Sequence, residues 1–432
     1  MAFSDFRTME FLALVGLALL LRVSFLVSYD HVPVSDETDY LELTTSIVDT
    51  RSYSIGGVPS AFRPPGYPAF LAAIRVIFGP SLVVIRIIQM FLDIGIVVGL
   101  YAMGLNYGRI VAAFAGLLWA LFPPAILYSS LVLSETFSAF LLVALFVTLT
   151  SQAWPASAVR LLVAGLLAGV LVLVKAWVLL FAIGVILLLW IRTQARSKLL
   201  LFSAGLLLII APWMMRNVIV FGSPLISTNA GINLYMGNNP SATGAYKAGL
   251  PDTLLAVSHD ELEFHRLSLS LAIGHILQDP ASFVGRIPVK IAHTFRGEGE
   301  LLVWAFHPNI RDKTSSFSDK YRSLPLTLIL GVNFFYMTFL LIGIAGVLRF
   351  WQSEHTSLTV LLSGTLVAVH AMFFGGSRFH FLLMPLMTLF AARLLPDVRH
   401  TWTEMPLAGR TSFIAISSLL LAVWILEFMY VY

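Results

Sequence analysis

Long apolar runs alternate with short polar connections along most of the chain. A helix needs about 20 apolar residues to cross a bilayer, and eleven runs approach that length. The runs cover about Phe11 to Val27, Leu82 to Gly104, Ile110 to Leu127, Val132 to Thr150, Leu161 to Val174, Trp177 to Ile191, Leu199 to Val220, Leu326 to Leu348, Leu358 to Phe374, Phe381 to Leu395 and Ser412 to Met429. The pattern predicts an all-α integral membrane protein with about eleven transmembrane helices, organised as a single domain over residues 1–432.

Two connections are much longer than the others, at residues 30–81 and 221–325. Long loops in a compact fold are usually functional. In the first, apolar residues from Tyr40 to Val48 recur at helical spacing, which predicts an amphipathic helix lying at the membrane interface. In the second, Leu262 to Leu277 and Pro280 to Phe295 predict similar interfacial helices, the latter starting at a proline.

Composition supports a membrane protein and excludes several other classes. Hydrophobic residues make up 58% of the chain and charged residues 12%, and the mean hydropathy is +0.87. The net charge of +4 comes from basic residues scattered among the connections, so we expect no nucleic-acid partner. Without cysteine the chain has neither disulfides nor thiolate metal ligands. The first run contains Arg22 and lacks the cleavage pattern of a secretory signal peptide, so we expect it to remain as a transmembrane span.

The basic residues between runs predict the topology. Alternating the spans places one set on a single side, namely Arg7, Arg109, Arg160, Arg192, Arg196, Lys198, Arg349, Arg399 and Arg410. The positive-inside rule makes that side cytoplasmic. We therefore predict a multi-pass protein of a bacterial inner membrane, with a cytoplasmic N-terminus and both long connections facing the periplasm.

Ionisable residues gather at the external ends of the predicted spans. They are Asp36, Glu37, Arg63, Arg86, Glu135, Lys175, Arg216, His370 and Arg378. Each costs about 2.5 to 3.5 kcal/mol at membrane depth and tends to face a cavity or a partner of opposite charge. Convergence on one side predicts a polar external cavity. The alternatives are that basic side chains extend to lipid headgroups, and that Asp36 or Glu37 only caps a helix.

The mixture of acids and cations suggests a chemistry. A carboxylate can take a proton from a hydroxyl nucleophile, while Lys and Arg stabilise charge on a phosphate leaving group. This combination describes glycosyl transfer from a lipid-linked sugar phosphate. No phosphate-binding loop or dinucleotide motif is present, and His355 and His370 lie too far apart in sequence for a shared metal. We therefore expect no required metal or other cofactor.

Several motifs together resemble the C-type (GT-C fold) polytopic glycosyltransferases, in particular the bacterial group related to protein O-mannosyltransferases and the lipid A aminoarabinose transferase. The resemblance begins with the acid pair at Asp36, followed by a tyrosine and "RPPGYPAFLA". It continues through "LSETF", "VLVKAW", "PWMMRNVIVFG", "NLYMGNNPSATG" and "SRFHFLLMPLMTLFAARLL", and so covers nearly the whole chain.

The resemblance implies roles for individual residues. Asp36 would act on the acceptor with Glu37 beside it, and the donor phosphate or lipid would meet Arg63, Lys175, Arg216 and Arg378. A substrate pocket would include Tyr40, Glu135, Asn233, Tyr235, Asn238, Asn239 and His370. Two features depart from the group: Lys175 stands where many relatives have Arg-Pro, and we expect no soluble domain after the eleventh run. Some C-type relatives use a divalent metal.

Purely structural interpretations of the same motifs remain open. "RPPGYP" can be only a rigid turn, "NLYMGNNP" only an Asn/Gly turn, and Glu135 a helix cap.

The sequence thus predicts an inverting glycosyltransferase that moves a monosaccharide from a polyprenyl-phosphate-linked donor to an acceptor hydroxyl at the periplasmic face. The acceptor would be a glycan, a lipid or a protein. Alternatives are a polytopic transporter or lipid flippase, a glycan polymer ligase of related fold, and a degenerate non-catalytic subunit. Against a transporter, the acids lie at one surface and no inverted repeat is found.

Overall fold

The computed structural model describes residues 3–150, 158–192, 196–246, 249–307 and 316–431. In chain order its α-helices are α1 (Phe3–Ser28), α2 (Asp36–Thr45), α3 (Gly66–Phe78), α4 (Leu82–Gly104), α5 (Arg109–Ala120), α6 (Pro123–Ser130), α7 (Ser134–Thr150), α8 (Ala158–Val174), α9 (Val178–Arg192), α10 (Arg196–Phe221), α11 (Asn229–Asn238), α12 (Asp252–Ala256), α13 (Glu261–Gln278), α14 (Pro280–Phe295), α15 (Gly299–Phe306), α16 (Phe317–Arg322), α17 (Leu326–Arg349), α18 (Glu354–Met372), α19 (Met384–Leu394), α20 (Val398–Glu404) and α21 (Leu407–Val431). A π-helix at Ser46–Thr50, 3-10 segments at Leu105–Tyr107, Ser377–Leu383 and Leu395–Asp397, and the strands β1 (Ser54–Ile55) and β2 (Val58–Pro59) complete these ranges.

The predicted all-α membrane architecture is confirmed by these helices. Within the described ranges, six are long and apolar enough to cross a membrane: α1, α4, α10, α17, α18 and α21. Counting bent helix pairs as single spans raises the number to eight. Each predicted apolar run contains helical structure, but the run from Ile110 to Leu127 is divided between α5 and α6. Helices α7, α8 and α9 are too short to pass the same test, so the predicted number of eleven is not confirmed.

One of the bent pairs has a clear local cause. Helices α5 and α6 meet at 54°, and α6 starts with Pro123 and Pro124. Proline lacks a backbone N–H and cannot continue a preceding helix, but it fits the first turn of a new one. The bend places the end of α6 beside the start of α7.

The core lies where α4 packs against α5 and α7, with α8 against α10 and α17 against α19 on either side. Arg22 of α1 crosses this core and pairs with Asp93 of α4 at 2.6 Å. The Asp93 carboxylate also accepts a hydrogen bond from the Trp119 indole, and both charged side chains are fully buried. A buried ion pair of this kind requires such extra hydrogen bonds to offset its desolvation. Arg22 and Asp93 therefore join spans inside the bundle.

The two long connections fold against one end of the bundle. In the first, β1 and β2 form a hairpin around Gly56 and Gly57, whose φ angles of 59° and 79° match a two-residue type I′ turn. The predicted interfacial helices of the second connection appear as α13 and α14. Helix α11 packs on α13, and α14 packs on α18. Residues 247–248 and 308–315 of this connection lie outside the described residues, as do the side chains of Arg7, Arg192 and Arg196.

Candidate active site

The candidate site forms where several helix ends meet beneath the first long connection. Asp36 is the first residue of α2, and Glu135 lies in the first turn of α7. Lys175 directly follows α8, and Arg378 lies in the 3-10 segment after α18. A Cβ added to Gly66 at the start of α3 would lie 2.8 Å from the backbone of Leu173, so only glycine allows α3 to approach the end of α8 this closely. The predicted convergence of polar residues at one end of the bundle is thus present.

Asp36 is shared between two arginines. One carboxylate oxygen accepts a hydrogen bond from Arg63 at 2.5 Å, and the other accepts one from Arg378 at 2.7 Å. The side chain is only 13% exposed. Burial alone would raise the pKa of Asp36, but the positive charges of Arg378 and Arg63 outweigh burial and hold it well below its usual range. Asp36 therefore stays ionised and links the first connection to the late 3-10 segment.

Arg63 completes the acidic side of the site. It donates to Asp39 at 2.8 Å as well as to Asp36, and its guanidinium lies over the Tyr40 ring, 5.7 Å from the centroid. Burial would lower the pKa of Arg63, but the neighbouring acids raise it further above its usual range. Arg63 is therefore a fixed cation rather than a proton carrier.

Arg378 lies between the two acidic residues Asp36 and Glu135. Its guanidinium is flanked by the rings of Trp304 and Phe379, with centroids at 5.1 and 5.6 Å. Such cation–π contacts hold the charge without using its hydrogen-bond donors. Arg378 can therefore offer its remaining N–H groups to a ligand.

A small cavity adjoins Arg378 and has both charged and aromatic walls. Its charged and polar lining comes from Glu135, Ser138, Lys175 and Arg378, and Trp177 and Phe379 supply rings. The Lys175 ammonium donates to the Glu135 carboxylate at 2.8 Å. Cations of this kind are the groups that bind phosphate, and aromatic rings are common in the walls of ligand sites.

His370 lies behind this lining. Its Nδ1 lies 2.9 Å from the carbonyl of Phe374 and so carries the ring proton, and its ring stacks on Phe379 at 4.2 Å. The Nε2 atom is buried and has no hydrogen-bond partner among the described residues. His370 thus supports the aromatic wall and keeps one nitrogen as a free acceptor.

Glu37 differs from its neighbour Asp36 in its surroundings. It is fully buried and accepts hydrogen bonds from His31 and from the backbone N–H groups of Val34 and Val132. These bonds tie the start of α2 to the segment before α7. The catalytic role predicted for Glu37 remains a prediction. The contacts of Glu37 favour a role in positioning Asp36.

Other predicted site residues are engaged elsewhere. Arg216 donates to the carbonyls of Ser60 and Tyr53, and so supports the first connection. Tyr40 lies beneath Arg63, while Asn233 and Tyr235 lie on α11. The structure does not bring these residues to the cavity walls.

The two asparagines that end "NLYMGNN" bind protein groups. The Asn238 side chain accepts from Lys290 at 2.7 Å and donates to the carbonyl of Met372, and that of Asn239 donates to Tyr235 O and accepts from Ser241 N. Helix α11 is thereby fixed against the end of α18, near His370.

Several residues of the site were not predicted from the sequence, namely Asp39, Ser138, Trp177, Trp304 and Phe379. Trp304 lies in the apolar stretch "LLVWAF", where the sequence indicates no more than an aromatic residue at the membrane interface. Asp39 follows Asp36 by one helical turn, and its spacing indicates only a place on the polar face of the helix. In the described ranges no three His, Asp or Glu side chains come together as metal ligands would.

Comparisons with known proteins give a likeness of fold. No protein-family model matches the sequence, and no curated protein matches it. The structure of the Archaeoglobus fulgidus oligosaccharyltransferase, tethered with an acceptor peptide, matches at 15% identity and a TM-score of 0.49. That match covers 96% of this chain and 53% of the transferase, so this chain spans about half its length.

ArnT from Cupriavidus metallidurans also matches, both bound to undecaprenyl phosphate and in the apo state. Identity is 16% in each case, the TM-scores are 0.42 and 0.41, and the matches cover 90% and 88% of this chain and 78% and 76% of ArnT. These three TM-scores lie below 0.5, so the function proposed for this chain depends on its own residues alone.

Proposed function

We propose that this protein is an inverting glycosyltransferase. It would transfer a monosaccharide from a polyprenyl-phosphate-linked donor to an acceptor hydroxyl of a glycan, lipid or protein, at the periplasmic face of a bacterial inner membrane. One observation carries the proposal: a single carboxylate, Asp36, lies between two guanidiniums beside a cavity that already holds a second acid–cation pair.

Charge balance suggests how the donor enters. Asp36, Asp39 and Glu135 face Arg63, Arg378 and Lys175, so the site has as many carboxylates as cations before substrate binds. A donor phosphate brings additional negative charge and competes with the carboxylates for the cations. Arg378 and Lys175 line the cavity, so the phosphate would weaken their pairs with Asp36 and Glu135.

This competition would also prepare Asp36 as a base. A carboxylate with a strongly depressed pKa is a poor proton acceptor. When the phosphate draws Arg378 away, Asp36 loses one of two adjacent positive charges, and its affinity for a proton rises. Donor binding and base activation are therefore coupled.

The reaction then follows with atoms and charges in balance. The acceptor hydroxyl oxygen attacks the anomeric carbon from the face opposite the phosphate, and its proton passes to Asp36. The bond from the anomeric carbon to the phosphate oxygen breaks, and its electron pair leaves with the polyprenyl phosphate. Preorganised cations at that oxygen stabilise the developing charge, with Arg378 and Lys175 placed to supply them.

The decisive experiment replaces Asp36 with Asn in purified protein supplied with a polyprenyl-phosphate sugar and an acceptor. We expect transfer to fall by at least about a hundredfold, the lower end of a general-base contribution, while donor binding persists. Asp49→Asn is the matched control, because Asp49 lies in the same connection and pairs with Arg75 at 2.9 Å, away from the cavity.

Two outcomes would overturn the proposal. Normal turnover in the folded Asp36→Asn protein removes the assigned base. Accumulation of the donor in proteoliposomes, with no covalent sugar product from the wild-type protein, favours a transporter or flippase instead.

A further inference from the structure

Arg393 lies at the end of the bundle opposite the candidate site. It belongs to the last turn of α19, and it lies near His355 in the first turn of α18. Helix α18 has 19 residues, about 28 Å at 1.5 Å per residue, and the 3-10 segment that carries Arg378 follows its other end. The length of one long helix therefore separates Arg393 from the candidate site.

Two aromatic rings hold the guanidinium of Arg393 between them. Its central carbon lies 3.8 Å from the ring centroid of Tyr107 and 3.8 Å from that of Phe350. The Tyr107 hydroxyl lies 2.7 Å from His355 Nδ1, and this hydrogen bond fixes the ring. Stacking on the two faces of a guanidinium leaves its N–H groups, which point outward in the plane, for other partners. The rings thus orient a cation without neutralising it.

The charge of Arg393 has no partner in the part of the chain that the structure describes. No ion pair or hydrogen bond joins its guanidinium to a described residue, and its Nη1 atom is buried without a partner there. The same holds for the Nε2 atom of His355. The Arg393 side chain as a whole is partly exposed, so a ligand can reach its edge. Buried polar groups are almost always hydrogen-bonded, so a polar ligand would gain bonds at this place.

Positive charge exceeds negative charge around Arg393. The Phe350 ring that covers it also contacts the guanidinium of Arg349, 5.2 Å from the ring centroid. Glu404 pairs with Arg349 and so already has its cation. Glu354 at the start of α18 is exposed, and in the described structure it forms no ion pair with either arginine. Two guanidiniums at one ring therefore have one paired carboxylate between them, and an uncompensated positive charge remains.

Exposed tryptophans indicate the depth of this cluster in the membrane. Trp351 directly follows Phe350, and Trp402 lies in α20 after Arg393. Both rings are exposed, and tryptophan is enriched at the level of the lipid headgroups. Arg393 therefore lies close to the depth at which lipid phosphates occur.

We propose that Arg393, with the positive charge of Arg349 beside it, binds the phosphate of an anionic phospholipid headgroup at the membrane surface opposite the candidate site. A phosphate diester offers acceptor oxygens that match the planar N–H groups of a guanidinium. Basic pockets between transmembrane helices on the cytoplasmic side bind such headgroups, and the positive-inside rule predicts that this end of the bundle is cytoplasmic.

The test measures lipid binding to the purified protein in detergent by native mass spectrometry. We expect dioleoylphosphatidylglycerol to bind the wild type. Dioleoylglycerol, which has the same acyl chains but no phosphate, should not bind, and neither should inorganic phosphate at the same concentration. Arg393→Gln should weaken the binding of dioleoylphosphatidylglycerol about fivefold, because one arginine near a membrane surface contributes about that factor to the affinity for anionic lipid.

Lys198→Gln is the matched control. It also removes one positive charge from the predicted cytoplasmic side, but Lys198 lies in α10, which packs against α8 and α9. This variant should bind the lipid as the wild type does, which separates a site at Arg393 from a general effect of net charge.

Several outcomes would overturn the inference. These are equal affinity of the wild type and Arg393→Gln, equal binding of dioleoylglycerol, and inorganic phosphate binding as tightly as the lipid, which would assign a free phosphate instead. If Arg393→Gln does not fold, Arg393→Lys keeps the charge but lacks the planar group that stacks between the rings. It should then bind the lipid more weakly than the wild type, and equal binding would overturn the inference. No sugar transfer is measured, so the result is independent of the proposed function.

Discussion

At the scale of single residues, the charged groups of the site share their ion-pair partners. Arg63 contacts both Asp36 and Asp39, and Arg378 contacts Asp36 from the opposite side. Removal of either arginine leaves a nearly buried carboxylate with one cation. The protonation of Asp36 therefore depends directly on each of them.

Replacing Arg63 with Gln tests this dependence. Loss of a positive charge raises the pKa of Asp36, so the carboxylate becomes protonated at higher pH than in the wild type. An adjacent opposite charge is worth about one to three pH units for a carboxyl group. We expect the acidic limb of the transfer profile to move upward by about that amount, measured as kcat/KM against pH.

Arg75→Gln is the control for this change. Arg75 binds Asp49 in the same connection, but it does not touch Asp36. Its profile should match the wild type, and an acidic limb in Arg63→Gln that does not move would exclude Asp36 as the group responsible for it.

At the scale of elements, small residues decide how closely helices approach. Between α8 and α10, a Cβ added to Gly165 would lie 2.1 Å from the carbonyl oxygen of Phe202, and one added to Gly205 would lie 2.5 Å from that of Leu162. Close backbone approach at small residues is the usual means of packing helices in a bilayer, where burial from water contributes little. Lys175 follows α8 directly, so this contact also positions the site.

Gly165→Ala should therefore destabilise the protein although alanine favours helices. The added methyl group forces the two backbones apart, at a cost of about 1 to 3 kcal/mol for overpacking. Gly331→Ala in α17 is the matched control, because its Cβ would meet nothing within 4 Å. There we expect a neutral effect or a gain of about 0.5 to 1 kcal/mol. Thermal unfolding of both variants in one detergent measures the difference, and equal effects would contradict the packing argument.

At the scale of the whole molecule, the positive-inside rule predicts the orientation in the membrane from the basic residues between the helices. The chain has no cysteine, so single cysteines report their side without background. Val58→Cys lies in the exposed hairpin of the first connection, and His400→Cys lies in the exposed part of α20.

A membrane-impermeant thiol reagent added to intact spheroplasts should modify Val58→Cys and leave His400→Cys unmodified. Both should react after the membrane is permeabilised, which controls for accessibility. The reverse pattern would place the candidate site on the cytoplasmic side and would contradict the topology.

The sequence by itself determined the membrane class and the approximate positions of the long apolar helices, and it supplied candidate residues for the site. Apolar runs in lipid must satisfy their backbone groups internally, so hydropathy alone indicates helices. Helices α13 and α14 follow from local periodicity, and their observed bounds lie close to the predicted ones. The helix ends near Asp36, Glu135 and Lys175 could also be located this way, because charges are too costly to place deep in the bilayer.

Only the tertiary structure decided which of these charges meet. Asp36 and Arg378 are 342 positions apart, and no local preference specifies such a contact. Arg216 and Asn238 carry the same polar signal as Arg378, yet packing gives them carbonyl partners within the protein. The end of a helix determines where a polar side chain can lie, but the partner of that side chain depends on how distant segments pack. The acid–cation site is therefore visible only in the tertiary structure.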